Sequence, residues 1–317
     1  MATGDPGGPG GPGEGAAART SDAVSAELSA AARDFFGGTV GGMMAILAGH
    51  PLDTAKTRIQ AMARFDQYST ARVLTETARL EGFRALYRGM SVPFYSTALL
   101  NAVVFCAQGV SERLLQDALG RDRPQLTGFL AGCLAGLAQS PLVCLVDLVK
   151  TQRQVQFTPS TSGPQNWSPG PWRILRERVK MLGLRHGCLQ GLGATAVKEC
   201  PSYGVYFLVY EESRRHMDLN HVPVVLSTLV SGGFAGCFAL GMIHPVDVVK
   251  SRIQSLPLEA TASERSVRQT VAQGLAREGP AFFLRGFGAA MQRAFVFNAA
   301  TFGGVEFAVA LWDRSLG

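Results

Sequence analysis

The sequence predicts an all-α membrane protein: six transmembrane helices in three pseudo-symmetric repeats, with a short helix inside each repeat. Three observations predict it. The first is composition. Of 317 residues, 47% are hydrophobic, only 17% are charged and 37 are glycine; a soluble domain carries about 25% charge. Small residues let membrane helices approach closely. The second is a set of long runs nearly free of Asp, Glu, Lys and Arg, each near the ~20 residues that a spanning helix needs. The third is one residue pattern that recurs three times.

Taken in chain order, the opening MATGDPGGPGGPGEG is too rich in Gly and Pro to build a core. It also lacks the apolar stretch of a signal peptide. Residues 1–29 are therefore expected to be a disordered tail. The repeats are expected at 30–120, 121–219 and 220–317. Uncharged runs extend from Phe35 to Leu52, Gly89 to Ser111, Pro124 to Val146 and over 219–246. Two more apolar stretches are interrupted: 187–210 by Lys198 and Glu199, and 286–312 by Arg293 and Glu306. Charge in the middle of a spanning helix is costly and marks function. Amphipathic stretches at 70–80, 171–181 and 264–276 predict the short helices.

The recurring pattern is Gly38-x3-Gly42-x8-Pro51-x-Asp53-x2-Lys56-x-Arg58-x-Gln60. It returns as Gly232-x3-Gly236-x8-Pro245-x-Asp247-x2-Lys250-x-Arg252-x-Gln254. The middle copy reads Gly132, Gly136, Leu145, Asp147, Lys150, Gln152 and Gln154 at the same spacing. Leu145 thus replaces a proline and Gln152 an arginine. Pro141, one turn earlier, is expected to keep a displaced kink. Each copy runs on to a second mark: Glu81-Gly82 then Tyr87-Arg88-Gly89, Glu278-Gly279 then Arg285-Gly286, and a looser Gly183 then Gln190-Gly191.

Proline removes a backbone donor and kinks a helix. An acid and a base three residues apart share a helix face. Three kinked helices around an axis would therefore link the acid of one to the base of the next. The expected pairs are Asp53–Lys150, Asp147–Lys250 and Asp247–Lys56, with Gln60, Gln154 and Gln254 placed to brace them. The alternative, charges snorkelling to the interface, does not account for three copies in register.

The repeated Px[DE]xx[KR]x[KR]xQ motif resembles the signature of the mitochondrial carrier family, over roughly residues 30–314. The resemblance implies a monomeric, multi-pass transporter of the mitochondrial inner membrane with a central small-molecule site. It implies that the three Asp–Lys pairs form a matrix gate that opens in alternation with a cytoplasmic one. The family's cytoplasmic motif, [FY][DE]xx[KR], is patchy here. Tyr210-Glu211-x2-Arg214 keeps it, Glu306 keeps its acid but has Val309 for the base, and the second long helix offers Gln108, Gly109 and Glu112. One bridge, Arg214–Glu306, is expected. The resemblance also implies membrane lipid, cardiolipin above all, at the helix starts Gly89, Gly191 and Gly286, where free backbone donors suit a phosphate. No other cofactor is expected.

Lys198 lies 13 residues before Glu211, and Arg293 lies 13 before Glu306. At 1.5 Å rise per residue both sit roughly 20 Å from the cytoplasmic charges. Ser96 is the equivalent on the second helix, with Asn101 about a turn on. Two cations and one anion suit a zwitterion: Lys198 or Arg293 for a carboxylate, Glu199 for an amino or quaternary ammonium group. Adjacent residues point about 100° apart, so Lys198 and Glu199 are not expected to satisfy each other.

The local sequences narrow the branch. KECPSYGVYFLVYEESR resembles the fourth helix of the amino-acid and carnitine carriers, with Lys198 where arginine is usual. RAFVFNAATF resembles their sixth helix, with Val296 at a usual proline. YRGMSVPFYSTALLNAVVFCAQG resembles the second helix of basic-amino-acid and carnitine-like members. Leu100 stands where ornithine carriers have an acid. The resemblance implies arginine, lysine or carnitine and its acyl esters as cargo.

The net charge of +6 suits an anionic membrane or nucleic acid; no aromatic-interleaved basic stretch supports the latter, so no nucleic-acid partner is expected. No nucleophile–base arrangement or phosphate loop points to an enzyme. His50, Cys144 and His244 occupy equivalent positions and are zinc-ligand types, but no fourth ligand accompanies them and no metal is expected. The six scattered cysteines form no CxxC pair, which favours free thiols. An uncoupling-type proton or anion leak and a non-transporting scaffold of the same fold remain as alternatives; Glu199 opposes the first and the retained charges the second.

Overall fold

The computed structural model describes residues 12–65, 67–120, 124–156, 170–219, 224–261 and 263–316. All the regular structure among them is helical. Six long helices alternate with three short ones: α1 (Pro12–Ala61), α2 (Thr70–Glu81), α3 (Ser91–Leu119), α4 (Pro124–Val155), α5 (Pro171–Cys188), α6 (Leu192–Leu219), α7 (Val224–Ser255), α8 (Val267–Glu278) and α9 (Phe287–Leu316). Each repeat is thus long, short, long, as expected. The short helices end close to the predicted limits except α5, which continues across a break at Gly183.

One boundary is corrected. Helix α1 begins at Pro12, so residues 12–29, assigned to the disordered tail, are helical. Their sequence explains it: beyond the Gly/Pro tract the chain turns to Ala, Glu, Leu and Arg, all strong helix formers. Residues 1–11 of the expected tail lie outside the described residues.

The long helices form a closed ring, α1–α3–α4–α6–α7–α9 and back to α1. Prolines sit inside four of them: Pro51 in α1, Pro141 in α4, Pro201 in α6 and Pro245 in α7. Small residues set the closest approaches. A side chain at Gly41 would meet the Thr301 carbonyl at 2.6 Å, and one at Gly304 would meet the Gly41 Cα at 2.7 Å, so α1 and α9 touch backbone to backbone. Between α4 and α6, Gly132 leaves room for the Tyr203 carbonyl at 2.9 Å and Gly136 for that of Glu199. Helix α6 is therefore pressed against α4 at the level of its two charged residues.

The ends of the short helices are pinned by a second set of charges. Arg58 pairs with Glu81, which also holds Arg88 at 2.5 Å. Glu278 likewise pairs with Arg252 and, at 2.8 Å, with Arg285. The middle repeat has Gln152, Leu182 and Gln190 at the matching positions. Gln152 donates to the Gln254 and Leu256 carbonyls at 2.6 and 2.9 Å. Buried Arg178, one turn before Leu182, donates to Gln190 and to the Gly187 carbonyl. The uncharged version keeps the backbone contact: Arg58, Gln152 and Arg252 all reach the carbonyl of a conserved-register glutamine, Gln154, Gln254 or Gln60. Gly89 then turns the chain into α3 with φ 85, where a side chain would also meet the Lys150 carbonyl at 2.9 Å.

Candidate functional site

The three signature helices place their charges in one layer. Lys150 holds Asp53 at 2.6 Å, Lys250 holds Asp147 at 2.5 Å, and Lys56 pairs with Asp247. Each pair joins one repeat to the next, in the order expected. Ion pairs this enclosed contribute little net stability, because desolvation offsets attraction. What they do is hold α1, α4 and α7 together at one end.

The glutamines do not brace these pairs. Gln154 accepts from Thr57 at 2.9 Å and donates to Thr54 at 3.2 Å. Gln254 lies within 3.5 Å of the Cys144 and Gln190 carbonyls. Neither side-chain polar atom of Gln60 has a partner among the described residues. The reason is helical geometry: four and seven residues past Lys and Asp keep the same face but lie about 6 and 10 Å further along the axis, one layer beyond the ion pairs.

His50, Cys144 and His244 also take a structural place. His50 donates to the Arg88 carbonyl at 3.0 Å, His244 to that of Arg285 at 3.1 Å, and Cys144 to that of Gln190 at 3.4 Å. Each ties its own helix, α1, α4 or α7, to the start of the following long helix.

The interrupted helices bring their charges onto this layer. Lys198 Nζ lies 3.3 Å from Asp247 Oδ1 and 3.3 Å from Glu199 Oε1. The expectation that these neighbours would not pair is thus corrected: the long lysine stem folds back far enough to meet the adjacent carboxylate. Arg293 pairs with Asp53 and lays its guanidinium over Phe297, 4.8 Å from the ring centre. Asp247 and Asp53 each have two cations in consequence. Ser96 instead spends its hydroxyl on the Pro93 carbonyl at 3.3 Å. Asn101 is half-buried about one turn further along α3.

One residue escaped the sequence reading. Buried Gln139 on α4 donates to Glu199 Oε2 at 3.5 Å. It lies three residues past Gly136, on the face pressed to α6, so the glycine spacing was the signal that could have found it.

At the opposite end Arg33 pairs with Asp313 at 2.7 Å and Gln125 donates to Glu212 at 2.8 Å. Among the described residues neither Glu211 nor Glu306 has an ion-pair partner, and both are exposed. The expected Arg214–Glu306 bridge is not made.

Comparison with known proteins agrees with this geometry. The family model "Mitochondrial carrier protein" matches residues 28–119, 121–221 and 222–315. The chain is 38% identical over 275 residues to the "Mitochondrial basic amino acids transporter" of Bos taurus, covering 86% of this chain and 89% of that one. It is 31% identical to the "Mitochondrial arginine transporter BAC2" of Arabidopsis thaliana, covering 89% and 93%. It is 34% identical to the "Mitochondrial magnesium exporter 1" of Drosophila melanogaster, covering 86% and 92%.

Proposed function

The chain belongs to the mitochondrial carrier family and is a multi-pass transporter of the mitochondrial inner membrane rather than an enzyme; we propose that its cargo is a basic amino acid such as arginine or lysine. The observation that carries this reading is the trio Lys198, Glu199 and Arg293, opposite charges held against the closed ion-pair layer. A substrate carboxylate competes for Lys198 and Arg293. A substrate α-ammonium takes Glu199, which Gln139 holds in place.

The same contacts supply a mechanism of alternating access. Drawing Arg293 from Asp53 and Lys198 from Asp247 strips each acid of one of its two cations. The remaining pairs then hold the ring alone, and the matrix end opens at lower cost. Binding energy is thereby spent on the conformational change, which a ligand can drive only by binding the two states differently. The names of two relatives, a basic amino acids transporter and an arginine transporter, support this cargo. Anionic lipid, cardiolipin in particular, is proposed at the glycine turns before α3, α6 and α9.

Uptake into liposomes carrying the purified protein tests the reading. Labelled arginine or lysine enters at a saturable rate. Failure of both to enter refutes the cargo, and entry of carnitine in their place assigns the site to a quaternary ammonium zwitterion instead.

A further inference from the structure

The ion-pair layer is threefold in its lysines but not in its second cations. Asp247 has Lys56 and Lys198; Asp53 has Lys150 and Arg293. Each second cation comes from the long helix that precedes the acid's own around the ring, α6 before α7 and α9 before α1. The corresponding helix before α4 is α3, and its equivalent residue is Ser96, which bonds only within its own helix. Among the described residues, Asp147 therefore has Lys250 as its single ion partner. Its side chain is also the most open of the three, 28% exposed against 13% for Asp53 and 7% for Asp247.

We propose that Asp147 receives the side-chain cation of the substrate, which fills the place that Lys198 and Arg293 fill at the other two acids. The proposal rests on the basic amino acid reading and sharpens it. Asp147 and Gln139, which holds Glu199, stand on the same helix eight residues apart. That is about 12 Å between backbones at 1.5 Å per residue, which the side chains shorten: Lys198 meets both Glu199 and Asp247 at 3.3 Å, so the Glu199 carboxylate reaches toward the layer that holds Asp147. The two carboxylates stand on different helices, α6 and α4, and a long dibasic amino acid joins them. A short one such as 2,3-diaminopropionate does not. A guanidinium suits Asp147 best, since its planar fork meets a carboxylate with two donors. Once bound, it competes with Lys250 for the same carboxylate, so the third pair is loosened as the other two are.

The test supplies the missing cation within the protein. Ser96→Arg places a guanidinium where the substrate's would lie. Its thermal midpoint without ligand rises above wild type, because the third acid gains its second partner. In liposome uptake, the wild type prefers arginine over citrulline, the same skeleton without the charge, and Ser96→Arg reduces that preference at least tenfold. A folded Ser96→Arg that keeps the full preference overturns the proposal while leaving the arginine reading intact. Should the variant not fold, the wild type decides: 2,3-diaminopropionate competes at least tenfold more weakly than arginine, and equal competition overturns the proposal. A wild type that carries neither arginine nor lysine sinks the cargo reading and this inference together.

Discussion

Glu81 offers the sharpest test of how the repeats are joined. Its carboxylate and the Arg58 guanidinium are both fully enclosed, at 0% exposure. Arg88 completes the cluster, and Arg58 is further fixed by Thr77 and the Gln154 carbonyl, each at 3.0 Å. Glu81→Ala leaves two guanidiniums facing each other without an anion. Breaking a buried pair from one side costs about 3–5 kcal/mol. For a chain of this length each kcal/mol lowers the melting point by ~2 °C, so the variant should melt ~6–10 °C below wild type. The middle repeat says what would relieve the loss. It has Gln152, Leu182 and Gln190 where the first repeat has Arg58, Glu81 and Arg88. The triple variant Arg58→Gln/Glu81→Leu/Arg88→Gln strands no charge and should recover at least half of the lost stability. Thermal unfolding of purified protein, followed by tryptophan fluorescence or thiol reactivity, reads both effects. A triple variant that melts no higher than Glu81→Ala refutes the argument, as does a single variant within 1–2 °C of wild type.

Three further outcomes follow from the same structure. Glu199→Gln removes the anion offered to a substrate α-ammonium, so arginine uptake should fall at least tenfold, about 1.4 kcal/mol of lost interaction; an unchanged rate refutes its role. Gly136→Ala drives a methyl group into the Glu199 carbonyl, so it should lower both melting point and uptake, whereas Gly233→Ala, which meets nothing within 4 Å, should do neither. Glu278 is held below the usual carboxylate range: burial pushes it up, but Arg252 and Arg285 outweigh that. A depressed acid adds stability above its unfolded pKa of ~4.3 and loses it as pH falls through the folded value. The melting-point gap between wild type and Glu278→Gln should therefore be full at pH 6 and shrink steadily below pH 4; a gap that is constant across that range would contradict the assignment.

The architecture was legible because three copies repeat each other's errors and agreements. Asp53, Asp147 and Asp247, with the lysines three residues on, recur in register in all three copies, and all three pairs form between repeats in the expected order. What stayed hidden depends on side-chain reach. Lys198 and Glu199 diverge at their Cα atoms, yet four methylenes let the ammonium return to its neighbour and touch Asp247 as well. The glutamines share a helix face with the acids, but seven residues of rise, about 10 Å, carry them off the layer. Gln139 belonged to no charged motif, so only the packing of α4 on α6 reveals it. Helix at residues 12–29 was missed because the Gly/Pro tract, which runs into its first turn, dominated the composition.

Helix α6 has a consequence for how the protein enters its membrane. Among the described residues, the candidate spans by length and composition fall in α1, α3, α4, α7 and α9, and α6 is left out. Lys198 and Glu199 in its second turn and Glu211, Glu212, Arg214 and Arg215 toward its end are the cause. A charge costs roughly 2.5–3.5 kcal/mol at the centre of a span and less toward its ends, and these six together disfavour insertion as a single segment. Helix α6 is therefore expected to enter as one half of a hairpin with α4, whose Gly132 and Gly136 accept its backbone and whose Gln139 meets its carboxylate. The residues proposed to recognise the cargo are those the lipid would reject, so assembly of the second repeat and creation of the binding site become the same event.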